Sequence, residues 1–116
     1  MNDTVRLTEE QAELFATWFH SLADPTRMRI LNLLASGEHE MNVGDIVAAL
    51  GLKQSTTSHH LKVLHDVGFV LRRREGTQTY HSVNRSCLER FPTAADMVMG
   101  RFRARSEAVS PGWLAG

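Results

Sequence analysis

Apolar residues recur at helical spacing through the first half of the chain. Leu14, Phe15, Trp18, Phe19 and Leu22 fall every three or four positions behind Thr8 and Gln11, which have capping-box spacing. Together they predict a first helix over about residues 9–22. Asp24 and Pro25 supply an N-cap and a first-turn proline. Met28, Ile30, Leu31, Leu33 and Leu34 then give a second helix a broad apolar face that runs to about Ala35, with Gly37 closing it. A third, short helix begins at Asn42 and Asp45, turns Ile46, Val47 and Leu50 inward and ends at Gly51.

The next segment, QSTTSHHLKVLHDVG, has a different balance. Projected at about 100° per residue, Thr57, Leu61 and Leu64 share one side with His60 at its edge, while Ser55, Ser58, His59 and Lys62 share the other. Only one side of this fourth helix needs burial. Phe69 to Leu71, the stretch Arg72 to Gln78 and then Thr79 to Val83 read as two strands around a Glu75-Gly76 turn. Ser86 and Glu89 have capping-box spacing, and Pro92 interrupts or restarts the helix so begun. The last helix is expected over about 93–108, with Ala95, Val98, Met99 and Phe102 as its stripe. No other element is left to cover that stripe. Leu14, Phe15 and Trp18 of the first helix and Val98, Met99 and Phe102 of the last are therefore the expected dimer interface. The reading is a mainly α domain with one small β-hairpin over residues 1–108, then a loose tail over 109–116 in which Trp113 and Leu114 are the only large apolar groups.

Composition narrows the setting. At 116 residues with 42% hydrophobic residues, the chain has enough for one core. Cys87 is the only cysteine, so an internal disulfide is excluded and a reducing, cytoplasmic location is expected. Asp3, Glu9, Glu10 and Glu13 occupy the region where an export signal would be basic and then apolar. The longest purely apolar stretch, Ile46 to Leu50, falls far short of the roughly 18 residues of a membrane span.

Net charge is zero, yet charge is unevenly placed. Residues 53–85 hold Lys53, Lys62, Arg72, Arg73, Arg74 and Arg85 against Asp66 and Glu75, a balance of +4, whereas residues 1–24 sum to −4. Over a Debye length of about 8 Å the local charge counts more than the total, so the basic end attracts phosphates. Short hydrogen-bonding side chains on the free side of the fourth helix suit a helix lying in a major groove. The exposed side of a merely soluble helix would be expected to carry acidic residues, and this one carries none.

These segments resemble the ArsR/SmtB family of dimeric winged-helix repressors. The resemblance rests on LADPTRMRILNLL, QSTTSHHLKVLHDVGFV and RRREGTQTYHSV, and covers about three quarters of the chain. It implies a winged helix-turn-helix fold, with the hairpin as the wing. It also implies a homodimer that binds double-stranded DNA at an inverted-repeat operator near its own promoter and releases it when an inducer binds. Gln54, Ser55, Ser58 and His59 match the family's groove-contacting positions. Lys62, Arg72, Arg73, Arg74 and Gln78 complete the expected DNA surface. Lys53 departs from the family's frequent serine N-cap.

The family's commonest inducers are metal ions, and here the chain departs from the pattern. Asn42 and Gly44 stand at the two positions of its helix 3 thiolates, and neither binds a soft metal as a thiolate does. The other standard site needs histidines on the terminal helix, but residues 93–108 offer only Asp96 and Glu107. No cofactor is therefore expected to be required. The alternative is a nickel- or zinc-responsive regulator using His20 or His39 with Glu38, Glu40 or Asp3 across the dimer. His59 and His60 are accounted for by DNA contact and helix packing, and His65 and His81 by a solvated surface. Cys87, in a first helical turn between Arg85 and Arg90, is a candidate redox switch whose thiol those positive neighbours would acidify.

A third reading is a winged-helix protein-interaction module that works with a partner regulator. An enzyme is not expected. The chain has no glycine-rich phosphate loop, nucleophile elbow or metalloprotease spacing, and Ser58 and His59 are helical neighbours pointing about 100° apart.

Overall fold

The computed structural model describes residues 6–37 and 39–100. Four helices, α1 (Glu9–Ser21), α2 (Pro25–Ser36), α3 (Val43–Leu50) and α4 (Gln54–Asp66), lead into an antiparallel hairpin of β1 (Val70–Glu75) and β2 (Gln78–Val83), and α5 (Arg85–Val98) follows. This is the mainly α architecture with one hairpin that the sequence pattern predicts.

Local chemistry sets the helix starts. The Thr8 hydroxyl accepts from the Gln11 backbone N–H, and the Gln11 side chain accepts in return from the Thr8 N–H, both at 3.0 Å. One Asp24 carboxylate oxygen accepts from the backbone N–H groups of Thr26 at 2.8 Å and Arg27 at 3.0 Å, ahead of Pro25. Asn42 and Asp45 form a second reciprocal box at the head of α3. That helix ends at Gly51, whose φ of 68° and ψ of 41° lie in the left-handed region that a side chain would disfavour.

The core lies where α2, α3, α4 and the hairpin meet. Ile30, Leu31 and Leu34 of α2, Ile46 of α3, and Leu61 and Leu64 of α4 are buried against Phe69, Val70 and Val83. On the other side an aromatic cluster joins both terminal helices to the exit of α4. Trp18 lies 6.2 Å from Phe69 and 6.4 Å from Phe91 between ring centroids, and Phe91 also meets Phe69 at 5.7 Å and Phe19 at 5.0 Å. Such ring pairs contribute about 0.5–1.5 kcal/mol each beyond area burial.

That cluster corrects one expectation. Phe15 and Trp18 retain only 7% and 5% of their exposure within a single chain, so they belong to its core and are not left for a second subunit. Leu14 on the same helix is 48% exposed, and Val98 and Met99 near the end of α5 are also open. Phe102, the remainder of the expected 93–108 helix and the 109–116 tail lie outside the described residues.

α5 is a second correction. It runs unbroken from Arg85 through Pro92, and its N-cap is Asn84, whose side chain accepts from the Cys87 N–H, rather than Ser86. A mid-helix proline costs about 3 kcal/mol. Phe91 makes three ring contacts in the aromatic cluster and Ala94 is buried, so packing on both sides of Pro92 offsets a cost of that size. Local sequence shows the proline but not the rings that wait for its neighbour.

The hairpin differs from expectation by one residue. Arg74 pairs with Thr79 and Glu75 with Gln78, so the two-residue turn is Gly76-Thr77 rather than Glu75-Gly76. Gly76 has φ 62° and, among the described residues, no non-glycine residue has positive φ, the pattern of a turn that wants glycine at its first central position. Met41 adds a one-residue bridge to this two-stranded sheet: it exchanges backbone hydrogen bonds of 3.0 and 2.8 Å with His81 on the free side of β2.

Candidate nucleic-acid interface

α4 is held from beneath, and its outer side is left open. Thr57, His60, Leu61 and Leu64 are buried, while Gln54, Ser55, Thr56, Ser58, His59 and Lys62 are exposed, which matches the helical projection. The buried Thr57 hydroxyl donates to the Lys53 carbonyl at 2.8 Å. His60 Nδ1 faces the Arg27 guanidinium at 3.3 Å, and that guanidinium also donates to the Ser21 carbonyl. α4 is thereby tied to the end of α1 and the start of α2. Lys53, at the N-cap, makes no side-chain hydrogen bond to the first turn, as expected of a lysine where a serine would cap.

The exposed side from Gln54 to Lys62 offers amide, hydroxyl, imidazole and ammonium groups. Lys62 Nζ pairs with Asp66 one turn on at 2.8 Å, and the ammonium holds the Asp66 carboxyl below its ordinary range. Both groups are exposed, so this pair exchanges readily for another anion.

The pleat divides the three hairpin arginines. Arg72 lies opposite His81 and Arg74 opposite Thr79 on one face, whereas Arg73 lies opposite Tyr80 on the other. Arg73 Nε meets both carboxylate oxygens of Glu40 at 3.0 Å, its Nη1 meets Glu75 at 2.8 Å, and its guanidinium carbon lies 5.0 Å from the Tyr80 ring centroid. Glu40 is held below its ordinary range by this contact, and Arg73 is kept the more firmly protonated. Arg74 Nε reaches only the carbonyl of Gly76 at 3.3 Å, and Arg72 has no hydrogen-bond or ion-pair partner among the described residues. Gln78 accepts from the Asn42 side chain at 3.4 Å.

The helical projection put Ser55, Ser58, His59 and Lys62 on one side of α4, the family resemblance added Gln54 nearer the helix start, and all five are exposed. Sequence reasoning expected Arg72, Arg73 and Arg74 to act alike, and the structure separates Arg73 from its neighbours. It missed Glu40 and Tyr80. Glu40 is distant in sequence and leaves no local signal, whereas Tyr80 follows from the hairpin register once the turn is placed at Gly76-Thr77.

His81 differs from expectation too. It is buried, and its Nδ1 has no hydrogen-bond partner. Burial first, then the nearby Arg72 and His65, push its pKa below the ordinary value. Cys87 reverses the expected acidification: burial raises the thiol, and Arg90 only partly opposes it. His20 and His39 are exposed, and among the described residues no group of three or more histidine, cysteine, aspartate or glutamate side chains gathers as metal ligands would. Asp3, Glu38 and Glu107 lie outside the described residues. No described helix is long and apolar enough to cross a membrane.

Comparison with known proteins agrees with this geometry. Residues 24–71, from the α2 cap to β1, match the family described as bacterial regulatory protein, arsR family. A transcriptional repressor SmtB homolog of Synechocystis is 38% identical over 74 residues, 64% of this chain; the chain spans 54% of that relative's length. An uncharacterised HTH-type transcriptional regulator of Mycobacterium tuberculosis, Rv0081, is 33% identical over 110 residues, which is 94% of this chain and 95% of the relative. Its crystal structure superposes with a TM-score of 0.62 over 81% of this chain and 93% of that one. The homodimeric winged helix-turn-helix DNA-binding domain of a possible ArsR-family regulator from Mycobacterium bovis is 29% identical and superposes with a TM-score of 0.63, covering 85% of this chain and 96% of that domain.

Proposed function

The chain belongs to the ArsR family of bacterial regulatory proteins, and from that premise we propose that it is a homodimeric, sequence-specific transcriptional repressor. Each α4 enters a major groove, and each wing meets the flanking backbone through Arg72 and Arg74. The observation that carries this reading is the outer side of α4. From Gln54 to Lys62 it exposes hydrogen-bonding side chains and no carboxylate, next to a hairpin rich in arginine. Side chains of that kind read base edges, and cations neutralise phosphates.

Two-fold symmetry requires an inverted repeat with half-sites about 34–36 Å apart. Selection of bound duplexes from random sequence tests this. The wild type should recover one inverted repeat, and Ser58→Ala or His59→Ala should relax preference at particular positions by about tenfold or more. Recovery of no common sequence would sink the reading in favour of an interaction module serving a partner regulator.

The effector belongs to the same proposal. Asn42 stands at a thiolate position of the family's helix 3 metal site, and its side chain is already engaged, accepting from the Asp45 N–H at 2.8 Å and donating to Gln78. We infer that this regulator does not sense a metal at the family's standard positions. Calorimetric titration with nickel, zinc and cobalt should give no heat. Binding that His20→Ala or His39→Ala abolishes would replace this reading with a metal-responsive one.

A further inference from the structure

The three arginines of the wing share a sequence run but not a task. Arg73 has three partners: both carboxylate oxygens of Glu40 on Nε, Glu75 on Nη1, and the Tyr80 ring against the guanidinium. A forked guanidinium matches a carboxylate in this bidentate manner, and a lysine could not reproduce it. The guanidinium is half exposed, so a phosphate would compete for it with the exposed Glu75 and with the less exposed, bidentate Glu40. Arg72 and Arg74, on the opposite face of the pleat, carry no such partner.

The anchor at the other end is informative. Glu40 immediately precedes Met41, which bridges β2 through His81, and Asn42, which both caps α3 and contacts Gln78. The segment 40–42 therefore touches β1 through Glu40, β2 through Met41, and the wing tip through Asn42. Every one of these contacts fixes the hairpin relative to the helix-turn-helix unit that carries α4.

We propose that Arg73 is a positioning residue of the wing and not a phosphate ligand: held by Glu40, Glu75 and Tyr80, it fastens the hairpin to the segment that leads into α3, so that Arg72 and Arg74 meet the backbone at a fixed distance from α4. This proposal deepens the DNA-binding reading and rests on it. It also assigns to Glu40 a part in DNA binding that its charge alone would argue against.

The test combines salt dependence with amide exchange, on the full chain and a mixed-sequence duplex. Each lost phosphate contact flattens the slope of log affinity against log salt by about 0.9. Arg72→Ala and Arg74→Ala should each do so. Arg73→Ala should lower affinity roughly two- to fivefold with the slope unchanged, and Arg73→Lys should restore little of the loss. In the free protein, Arg73→Ala and Glu40→Gln should both speed exchange of the Met41 and His81 amides, the donors of the bridge.

A slope that falls for Arg73→Ala as it does for Arg72→Ala overturns the proposal. So does parental exchange at Met41 and His81 in both variants. If none of the three arginine variants changes the slope, the DNA reading of the wing fails instead, while the exchange result still decides whether Arg73 fastens the hairpin.

Discussion

Arg27 Nη1 lies 3.3 Å from His60 Nδ1, across the gap between α2 and the buried side of α4. A guanidinium can only donate, so a hydrogen bond across this contact has Nδ1 as its acceptor. The same arginine donates to the Ser21 carbonyl at the end of α1. One side chain thus sets the position of three helices.

Replacing Arg27 by alanine should consequently destabilise the fold by about 2 kcal/mol, because a buried acceptor loses its donor and His60 loses its neighbour. Urea denaturation measures this directly. A loss below about 0.5 kcal/mol would mean that water replaces the guanidinium at little cost.

Stability should fall with acidification well before the carboxylates titrate. Folded His81 binds a proton less readily than its ordinary 6.5, because it is buried and faces Arg72 and His65. Between that lowered value and 6.5 the unfolded chain holds more protons, so the folded state loses ground as pH drops through the window. Asp24, Glu40 and Asp66 are shifted down from 3.8, 4.5 and 3.8 and add their losses only at more acid pH. Thermal melts between pH 7 and pH 5 should show the decline, and His81→Leu should flatten it. An equal slope in the variant would assign the effect to other histidines.

Leu14, Val98 and Met99 remain open after the aromatic cluster has closed. If they form the contact between subunits, Leu14→Glu combined with Met99→Glu should yield a monomer at concentrations where the parent is a dimer. The circular dichroism of the two should agree. Sedimentation that stays dimeric would place the interface elsewhere.

Cys87 should be a slow thiol. Its burial and raised pKa keep it protonated at neutral pH, and the thiolate is the reactive form. A thiol-titrating disulfide reagent should react with the folded protein many times more slowly than with the urea-unfolded chain. DNA binding should also survive mild peroxide. Equal rates folded and unfolded would restore the redox reading.

Much of this was legible in the sequence because it depends on local chemistry. The caps at Thr8, Asp24 and Asn42 and the stop at Gly51 each involve residues within a few positions, and the polar and buried sides of α4 follow from its period. What the pattern could not supply was pairing between distant elements. Trp18 and Phe15 look like an unclaimed stripe until Phe69 and Phe91 are placed beside them. Pro92 looks like a break until the packing of Phe91 and Ala94 is known. Arg73 looks like one cation of three until Glu40 is brought to it across more than thirty residues. In each case the deciding contact is tertiary, and spacing carries no trace of it.

Met41 guards the outer side of β2, but among the described residues β1 has no strand on its other side. An open strand bearing the exposed Leu71 is a template on which another chain could add. The consecutive charges of Arg72, Arg73 and Arg74 oppose such stacking by mutual repulsion. A variant stripped of all three would be expected to aggregate, so the charges of this strand also serve to keep copies of the protein apart.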